Sequence, residues 1–491
     1  MKPALPGRPD RNEGSGTIWD EYFSGKRARL SAACGVNTLK TMKSNRRSFI
    51  KTSALGTLGV LGAPALLGNS TASPQASENE KPRGIKLPEL RTKAVDGRPL
   101  KAGLVGCGDR GTGAAMDFLA AGDGLQVTAL GDLFKDHLDN SREKLQKKGL
   151  VVPDDKCFTG FDAYKRVIDS GVDVVLLCTP PVFRPLHFEY AVNAGKDCFI
   201  EKPVAVDPAG ARRMLAIGKL AAGKNLSVIS GTIRRSEKNC IELCRRVADG
   251  AIGRLVSAHV IRHGTVPVPP KARASGWSDM EFMLRNWMYY TWTSSDFNCE
   301  QFIHEVDLMS MFLGDIPPVR AIATGGRARR PAGNIYDSIS VEYEYEGSFR
   351  AHCTSRQING CDRMNAVLIY GTKGYTDCRN WIRNLDCTDA WVYPRPDAAA
   401  RTAEWKILHN GLIQEHVRLV SAIRTGKPVN DVEQQVLSNI IGMMGRESAY
   451  TGKFVTYEEM MASQQNLTPA TWEFGPVPGV VTDVALPGVA L

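Results

Sequence analysis

Residues 102–111 of this 491-residue chain read AGLVGCGDRG, a short apolar stretch that runs directly into Gly106, Gly108 and Gly111. Residues 114–121, AAMDFLAA, follow with the composition of a helix. A strand, a G-x-G-x-x-G turn and a helix form a phosphate-binding unit, because the turn exposes its backbone and the helix amino terminus favours negative charge. The stretch therefore predicts a Rossmann dinucleotide-binding domain.

An acidic residue beyond this motif favours NAD as the cofactor. Residues 126–130, QVTAL, read as a second strand, and Asp132 follows it, 24 residues beyond Gly108. A carboxylate at that place can accept hydrogen bonds from both hydroxyls of an adenosine ribose and would repel a 2′-phosphate. We therefore expect NAD(H) rather than NADP(H), with Asp132 on the ribose.

Two further strands end in side chains that suit a cofactor site. Residues 172–180 read VDVVLLCTP, an apolar strand that stops at a Thr-Pro pair. After a helix predicted over residues 186–194, residues 197–203 read DCFIEKP, a strand that ends in Glu-Lys-Pro. Ligands bind where such parallel strands end. If the glycine turn holds the phosphates, Lys202 lies beside the nicotinamide.

These three motifs, in this order and with His187 on the intervening helix, resemble the Gfo/Idh/MocA oxidoreductases over roughly residues 98–463. The resemblance implies an α/β plus α+β architecture. A Rossmann domain over residues 98–233 is followed by an α/β domain with an open, largely antiparallel sheet over 234–463 and by a tail over 464–491. The cofactor contacts that it implies are Gly106, Gly108, Asp109, Arg110, Gly111, Asp132, Thr179, Pro180, His187, Glu201 and Lys202.

Residues 300–307, EQFIHEVD, look like the family's catalytic helix. Glu300, His304 and Asp307 stand at i, i+4 and i+7, which share one helix face and can converge on one cleft. By resemblance, Lys202 orients a sugar hydroxyl and lowers its pKa, and His304 takes its proton. Glu300 stands where the family often has Asp, and Asp307 is expected to orient His304 or Lys202. The alternatives are a solvated charged face and a lysine–carboxylate pair with a structural duty.

The segment before this helix concentrates aromatic side chains. Residues 285–296 read RNWMYYTWTSSD, which suits stacking on sugar rings, and core packing explains any one of these rings equally well. The candidate substrate contacts are Arg235, Trp287, Tyr290 and Trp292. Ser295 and Phe302 depart from the exported members that this segment resembles, which usually carry Gly and His at these positions.

An export signal is predicted near the amino terminus. Residues 45–51 read NRRSFIK and precede an uncharged run over residues 52–67, about the length of a signal-peptide apolar core. This stretch resembles a twin-arginine signal, and the alternative is a basic turn before a buried helix. We expect a leader over residues 1–72, with Met42 as an alternative start, a linker over 73–97, and a mature protein in the periplasm or otherwise exported by the twin-arginine machinery.

Composition argues against several classes of partner. The formal charge is +10, but residues 1–72 hold 11 Lys and Arg against 4 Asp and Glu, leaving +3 for the rest and no support for nucleic-acid binding. No other apolar run reaches the length of a membrane span. The 12 cysteines form no C-x-x-C pair and the 8 histidines do not cluster, which argues against a metal site.

Export narrows the expected reaction. A twin-arginine route carries folded proteins with a bound dinucleotide, but the exterior offers no large pool of free NAD for exchange. We expect an oxidoreductase that transfers hydride at a ring hydroxyl of a sugar or glycoside and recycles tightly bound NAD internally, as the exported glycosidases that resemble this family do. Such a cycle needs a second acid/base pair, for which Tyr289, Tyr290 and Asp296 are candidates.

Two other functions stay open. One is a net NAD-dependent sugar or inositol dehydrogenase, or a sugar–sugar oxidoreductase. The other is a carbohydrate-binding protein that holds NAD without turnover. The second function is disfavoured by the presence of Lys202, His304 and the two carboxylates, because a protein that only binds carbohydrate has no need of a lysine at the nicotinamide. The family resemblance also implies a homo-oligomer, a dimer or a tetramer, formed through the C-terminal sheet.

Overall fold

The computed structural model describes residues 85–489 of the chain. The predicted leader over residues 1–72, its twin-arginine signal, Met42 and most of the 73–97 linker lie outside the described residues. Within the described residues, two β-sheets follow one another along the chain, and helices pack against both of them.

A parallel six-stranded sheet comes first. Its strands are β1 (Leu100–Val105), β2 (Leu125–Asp132), β3 (Cys157–Thr159), β4 (Val174–Leu177), β5 (Asp197–Ile200) and β6 (Val228–Ser230). They lie in the order β3-β2-β1-β4-β5-β6, and every neighbouring pair is parallel. The order reverses between β1 and β4, which is where such sheets bind ligands outside the carboxyl ends of the strands. The predicted Rossmann fold is confirmed.

Five helices connect these strands. They are α1 (Asp109–Leu119), α2 (Lys135–Gln146), α3 (Ala163–Ile168), α4 (Arg184–Asn193) and α5 (Pro208–Gly223). Every residue of β4 is buried, as expected for a parallel strand covered on both faces, and this explains its unbroken apolar sequence. Helix α5 begins after Asp207, whose side chain accepts a hydrogen bond from the Gly210 amide, with Pro208 in the first turn.

A mixed nine-stranded sheet comes second. Its strands are β7 (Leu255–Gly264), β8 (Arg320–Gly326), β9 (Ser338–Glu344), β10 (Arg350–Gln357), β11 (Met364–Gly371), β12 (Gly374–Thr376), β13 (Trp381–Asn384), β14 (Asp389–Val392) and β15 (Val455–Thr456). They lie in the order β14-β13-β12-β11-β7-β10-β9-β8-β15. The β7–β10 pair is parallel, and the other described pairs of this sheet are antiparallel. The predicted, largely antiparallel second sheet is confirmed.

Nine further helices follow the first sheet along the described part of the chain. They are α6 (Lys238–Ala248), α7 (Asp279–Arg285), α8 (Thr291–Ser294), α9 (Phe297–Glu300), α10 (Ile303–Phe312), α11 (Ala403–Leu408), α12 (Gly411–Thr425), α13 (Val432–Thr451) and α14 (Tyr457–Ala462). Helices α10 and α13 pack against the sheet and against each other. Among residues 85–489, none of the helices combines the length and apolar character that crossing a membrane requires.

Helix α12 lies far along the chain yet completes the core of the first sheet. Val417, Leu419 and Val420 are buried in one cluster with Leu104 and Phe199 of that sheet. The amphipathic sequence of α12 predicts a buried face but not which sheet it covers. Part of the 234–463 region therefore stabilises the dinucleotide-binding half of the molecule.

The carboxyl-terminal tail is joined to the rest of the protein by several hydrogen bonds. The Leu467 amide donates to Asp207 Oδ2 at 2.7 Å, and further along Tyr336 Oη donates to the Ala485 carbonyl at 2.8 Å. Ala485 itself is buried. The expected tail over residues 464–491 is described up to residue 489.

Candidate active site

The glycine turn between β1 and α1 has two glycines set by packing and one that faces open space. Gly106 has φ +97°, and a Cβ there would lie 2.6 Å from the backbone of Cys178 and Thr179. A Cβ on Gly111 would lie 1.8 Å from the Gly106 carbonyl oxygen. A Cβ on Gly108 would meet no atom within 4 Å. The open side of Gly108 is the approach that a pyrophosphate needs.

Asp132 ends β2 and is held by the glycine turn. Its Oδ2 accepts from the Cys107 amide at 2.6 Å, and its Oδ1 accepts from the Phe134 amide at 2.8 Å. Each carboxylate oxygen keeps a second lone pair for a further hydrogen bond. The carboxylate is therefore oriented at the carboxyl edge of the sheet with capacity left for ribose hydroxyls.

Arg110 joins the glycine turn to the Glu-Lys-Pro segment. Its Nε donates to Glu201 Oε1 at 2.6 Å, and its Nη1 donates to Asp117 Oδ2 at 3.1 Å. Its Nη2 is buried and has no hydrogen-bond partner among residues 85–489. Asp109, in contrast, is exposed and pairs with Lys144 at 2.8 Å, away from the turn's interior. Of these two predicted cofactor contacts, Arg110 contacts Glu201 of the Glu-Lys-Pro segment, whereas Asp109 contacts Lys144 instead.

His187 contacts the loop that follows β4. Thr179 Oγ1 lies 3.3 Å from His187 Nδ1, and the His187 ring stacks on Tyr164 at 4.1 Å between ring centres. Burial lowers the pKa of His187 to about 3, so the ring is neutral at physiological pH. Pro180 leads into the short turn that carries Phe183. His187 thus fixes the position of Thr179 at the carboxyl edge.

Lys202 and Glu300 form an ion pair between the two halves of the molecule. Lys202 Nζ donates to Glu300 Oε1 at 2.9 Å and to the Glu300 carbonyl oxygen at 2.5 Å. The Lys202 side chain is 12% exposed and that of Glu300 is 10% exposed, so the pair is largely shielded from solvent. Glu201 accepts from the Lys202 amide at 3.2 Å and holds the backbone beneath the lysine.

His304 lies in the first turn of α10 among cations. Burial and the charges of Lys202, Arg262 and other arginines lower the pKa of His304 well below its usual value, so its ring is neutral. Arg262 Nη1 donates to Glu305 Oε1 at 2.7 Å, immediately beside His304 in the chain. The side chain of His304 is half-buried. The structure therefore places a neutral imidazole close enough to the Lys202 ammonium for that charge to lower its pKa.

The expected single helix face over residues 300–307 is interrupted. Helix α9 ends at Glu300 and α10 begins at Ile303, so the helical phase that would align Asp307 with Glu300 is lost. Asp307 instead accepts from Arg235 Nε at 2.9 and 3.0 Å and from Ser438 Oγ at 2.8 Å. Burial raises the pKa of Asp307 to about 6, against the opposing charge of Arg235.

This pairing corrects two expectations. Asp307 was expected to orient His304 or Lys202, but the described contacts of its side chain are with Arg235 and Ser438. Arg235 was expected to contact substrate, but its side chain is 7% exposed and its guanidinium is shared by Asp307 and Asp315. The sequence identifies these residues as candidates but does not show which side chains they contact in the fold.

The aromatic segment before the candidate catalytic residues contains both buried and half-buried rings. Trp292 is 1% exposed and Tyr290 is 7% exposed, and both pack in one cluster with Phe134 and Phe183 of the first domain. Trp287 is half-buried. Core packing therefore accounts for Trp292 and Tyr290, and Trp287 is the predicted sugar contact with ring surface to spare.

The further acid/base candidates have other partners. Tyr289 Oη donates to the Val268 carbonyl at 2.7 Å. Asp296 is fully buried and accepts from Tyr450 Oη and from the Tyr336 amide. Ser295 has φ +67°, a conformation that favours glycine, which explains why glycine suits this position. The second acid/base pair that a closed redox cycle requires is not formed by Tyr289 or Asp296 in this arrangement.

Two sequence profiles of one family match the chain. The profile described as "Oxidoreductase family, NAD-binding Rossmann fold" matches residues 100–229, and "GFO/IDH/MocA C-terminal domain" matches residues 241–376. Together they cover more than half of the chain. The chain belongs to the Gfo/Idh/MocA family. The predicted family and its NAD-binding domain are confirmed.

Individual relatives carry two kinds of name. A glycosyl hydrolase family 109 protein of Shewanella pealeana is 30% identical over 171 residues, which is 34% of this chain and 35% of that protein. A myo-inositol 2-dehydrogenase of Thermotoga maritima is 26% identical over 375 residues, 74% of this chain and 100% of that protein. The match to the first of them therefore spans about a third of the relative's length.

A solved structure shares the fold. The aldose-aldose oxidoreductase from Caulobacter crescentus, complexed with glycerol, superposes with a TM-score of 0.56 at 19% identity over 73% of this chain and 100% of that protein. At this identity the likeness concerns the architecture, a Rossmann domain followed by a mixed sheet.

Sequence reasoning missed a buried pair behind the family's Glu-Lys-Pro segment. Glu415 and His416 of α12 are buried, and none of their side-chain nitrogen or oxygen atoms has a hydrogen-bond partner among the described residues. Burial, together with the nearby charge of Glu201, raises the pKa of Glu415 well above its usual value. The sequence does contain a signal for this pair, because two ionisable residues lie on the apolar side of the amphipathic helix α12.

Proposed function

We propose that this member of the Gfo/Idh/MocA family is an NAD-dependent oxidoreductase that oxidises a ring hydroxyl of a sugar or glycoside. One observation carries the proposal. Lys202, at the carboxyl end of β5, is paired with Glu300 of the second domain, and its charge is among those that lower the pKa of His304. A cation and a proton acceptor at the ligand-binding edge of a dinucleotide fold are what removal of hydrogen from an alcohol requires.

The residues at the edge fit NAD. The open side of Gly108 admits a pyrophosphate, the unpartnered Arg110 Nη2 offers a donor for an anion, and Asp132 keeps acceptor capacity for ribose hydroxyls. NAD, when bound, accepts the hydrogen that leaves the sugar carbon as hydride. A 2′-phosphate would meet the Asp132 carboxylate, which is why NAD is favoured over NADP.

The chain's own residues then accept the proton of the substrate hydroxyl and stabilise the negative charge that develops on its oxygen. Lys202 has three N–H donors, two of which Glu300 takes, so the third is available for the substrate hydroxyl. That hydrogen bond stabilises negative charge on the oxygen as its proton leaves. His304 is the proposed proton acceptor, because a neutral ring has a nitrogen with a free lone pair. Glu300 keeps the ammonium in place.

We further propose that the protein is exported and that it recycles its bound NAD internally. Residues 45–51 support a twin-arginine route to the periplasm, where a released cofactor could not be replaced. In a closed cycle, oxidation of a sugar carbon acidifies the adjacent C–H, elimination breaks a glycosidic bond, and water adds before the carbon is reduced again. The relatedness to a glycosyl hydrolase family 109 protein favours this form.

A net inositol or sugar dehydrogenase is the second candidate. The match to the myo-inositol 2-dehydrogenase over that protein's whole length favours it. The two candidates differ in their products, because a dehydrogenase releases an oxidised sugar and a closed cycle releases an aglycone without net oxidation.

A homo-oligomer through the second sheet is part of the proposal. Helices α10 and α13 cover one face of that sheet, and the other face presents rings such as His259, His352 and Tyr370, which lie about 6 Å apart. Light scattering on the full-length protein is expected to give the mass of a dimer or tetramer, and a monomer would contradict it.

The test uses purified protein without added NAD. Aryl glycosides, free sugars and inositols are supplied one at a time while NADH absorbance and released aglycone are followed. Aglycone without lasting NADH supports the closed cycle, and stoichiometric NADH with an oxidised sugar supports the dehydrogenase. Absence of both products over the whole panel, with NAD bound, would leave the non-catalytic carbohydrate-binding protein as the better account.

A further inference from the structure

The last part of the chain is fastened at both ends. At its start, Arg446 Nη2 donates to Gln465 Oε1 at 2.8 Å, and the Leu467 amide donates to Asp207 at 2.7 Å. At its end, Asn334 Nδ2 donates to the Val481 carbonyl at 2.9 Å, and Ala485 is tied to Tyr336. Residues 468–480, which we call the strap, stretch between these anchors.

The strap lies on the loops that follow three strands of the first sheet. The Trp472 ring centre is 4.5 Å from that of Phe183, which follows β4. The Phe474 ring centre is 5.1 Å from that of Phe161, which follows β3, and 6.3 Å from that of Phe134, which follows β2. The strap therefore crosses the carboxyl edge of the sheet at β3, β2 and β4.

The second domain backs the strap from the other side. The Met280 amide donates to the Gly475 carbonyl at 3.0 Å, and the Trp292 and Trp472 ring centres lie 6.5 Å apart. Val477 and Val480 pack against the same aromatic cluster. The strap is thus held between the loops of the first domain and the segment that carries α7 and α8.

We propose that the strap is part of the dinucleotide site and retains NAD by covering its adenosine end. In this fold the ligand lies along the carboxyl edge at the point between β1 and β4 where the strand order reverses, and the adenosine ribose is bound at the end of β2. Asp132 stands there, two residues before Phe134. The strap crosses the same edge, and its aromatic rings provide apolar surface for the adenine.

Retention follows from the two anchors. A dinucleotide that lies beneath a segment fastened at both ends leaves only when that segment moves, so its release is slowed by the contacts that hold the strap. Phe474 is 49% exposed, so one side of its ring faces solvent while the ring also contacts those of Phe161 and Phe134. This inference rests on the proposed function, in which NAD stays bound from one turnover to the next.

The test compares two phenylalanines of similar exposure. Phe474 is 49% exposed and lies in the strap, whereas Phe454 is 54% exposed and stacks with Arg320 at the second sheet. Full-length wild type, Phe474→Ala and Phe454→Ala are loaded with radiolabelled NAD, and its release is timed during a chase with excess unlabelled NAD. Phe474→Ala is expected to release NAD about tenfold faster than wild type, and Phe454→Ala at the wild-type rate.

A second variant extends the test. Trp472→Ala removes the larger, half-buried ring and is expected to accelerate release further, whereas Phe474→Trp restores an aromatic ring and is expected to restore slow release. Melting temperatures identify any variant that fails to fold. Should Trp472→Ala fail, Phe474→Ala still decides the matter, because its half-exposed ring contributes little to folding.

The outcomes separate the strap from the proposed function. If wild type binds NAD and Phe474→Ala releases it at the same rate, the strap is overturned as a retaining element and the proposed function stands. If Phe454→Ala accelerates release as much as Phe474→Ala does, the effect is not specific to the strap and the inference is also overturned. If wild type binds no NAD at all, the proposed function itself fails.

Discussion

Two ion pairs lie on either side of the break between α9 and α10, and they differ in what their cations have left to offer. Among the described residues, Lys202 pairs with Glu300 and keeps one N–H donor. Arg235 is shared by Asp307 and Asp315 and is 7% exposed. A cation with a spare donor can bind a substrate, whereas a cation whose donors are taken up by two carboxylates can only hold the structure together.

Lys202→Met breaks the first pair and has the largest expected effect on turnover. The change removes the ammonium that hydrogen-bonds the substrate hydroxyl and keeps the apolar stem, so activity per folded molecule is expected to fall about 10³-fold. Steady-state rates on the best substrate of the panel, with the folded fraction from circular dichroism, measure it. Activity within a few-fold of wild type would show that Lys202 is a structural residue like Arg235.

His304→Asn tests the second residue that is assigned to the reaction. Loss of the proton acceptor is expected to lower turnover about 10²-fold. Because the pKa of His304 is lowered well below its usual value, the wild-type ring stays neutral as pH falls through 6.5, and His304 contributes no loss of activity there. A profile of kcat/KM between pH 5 and 8 checks this, and an inflection near 6.5 that is absent from the variant would contradict it.

Glu415→Gln has the smallest expected effect and concerns stability alone. The folded pKa of Glu415 lies above its unfolded value, so wild-type stability is fully present below pH 4.5 and declines as pH rises towards the folded pKa. The variant lacks this penalty and is expected to be about 1 kcal/mol more stable than wild type at pH 8, and equal to it at pH 4.

Urea unfolding at both pH values measures this difference, with the exposed Glu404→Gln as control. A variant that is less stable than wild type at pH 8 would mean that Glu415 is ionised and stabilised by a cation such as Arg110.

Much of the first domain could be predicted because its signals are local. The glycine turn needs a conformation at Gly106 that glycine favours, β4 is apolar because both of its faces are buried, and Asp132 follows at the required distance. Lys202 could be placed because strand ends define the ligand-binding edge. These features depend on neighbours in sequence or on a rule of the fold.

The rest depends on tertiary partners that the sequence does not name. The break at residues 301–302 cannot be seen in the pattern of residues 300–307, so Asp307 was assigned to the wrong face. Trp292 reads equally well as a sugar platform or a core residue until Phe183 and Phe134 are seen beside it. Glu415 lies more than two hundred residues from Glu201, and only the fold brings their charges together.

The most direct test of the account replaces each carboxylate by its own amide. Glu300→Gln is expected to lower kcat/KM about tenfold or more, because Lys202 is no longer fixed by charge, with a loss of about 1 kcal/mol in the free energy of unfolding. Asp307→Asn leaves buried Arg235 undercompensated and is expected to cost about 3 kcal/mol or more of that free energy, with activity per folded molecule unchanged.

Both quantities are measured on both variants, kcat/KM per folded molecule and unfolding in urea. The account predicts opposite patterns, with Glu300→Gln impaired mainly in activity and Asp307→Asn mainly in stability. If Asp307→Asn lowers activity per folded molecule as much as Glu300→Gln does, the division between a reactive ion pair and a structural one is contradicted.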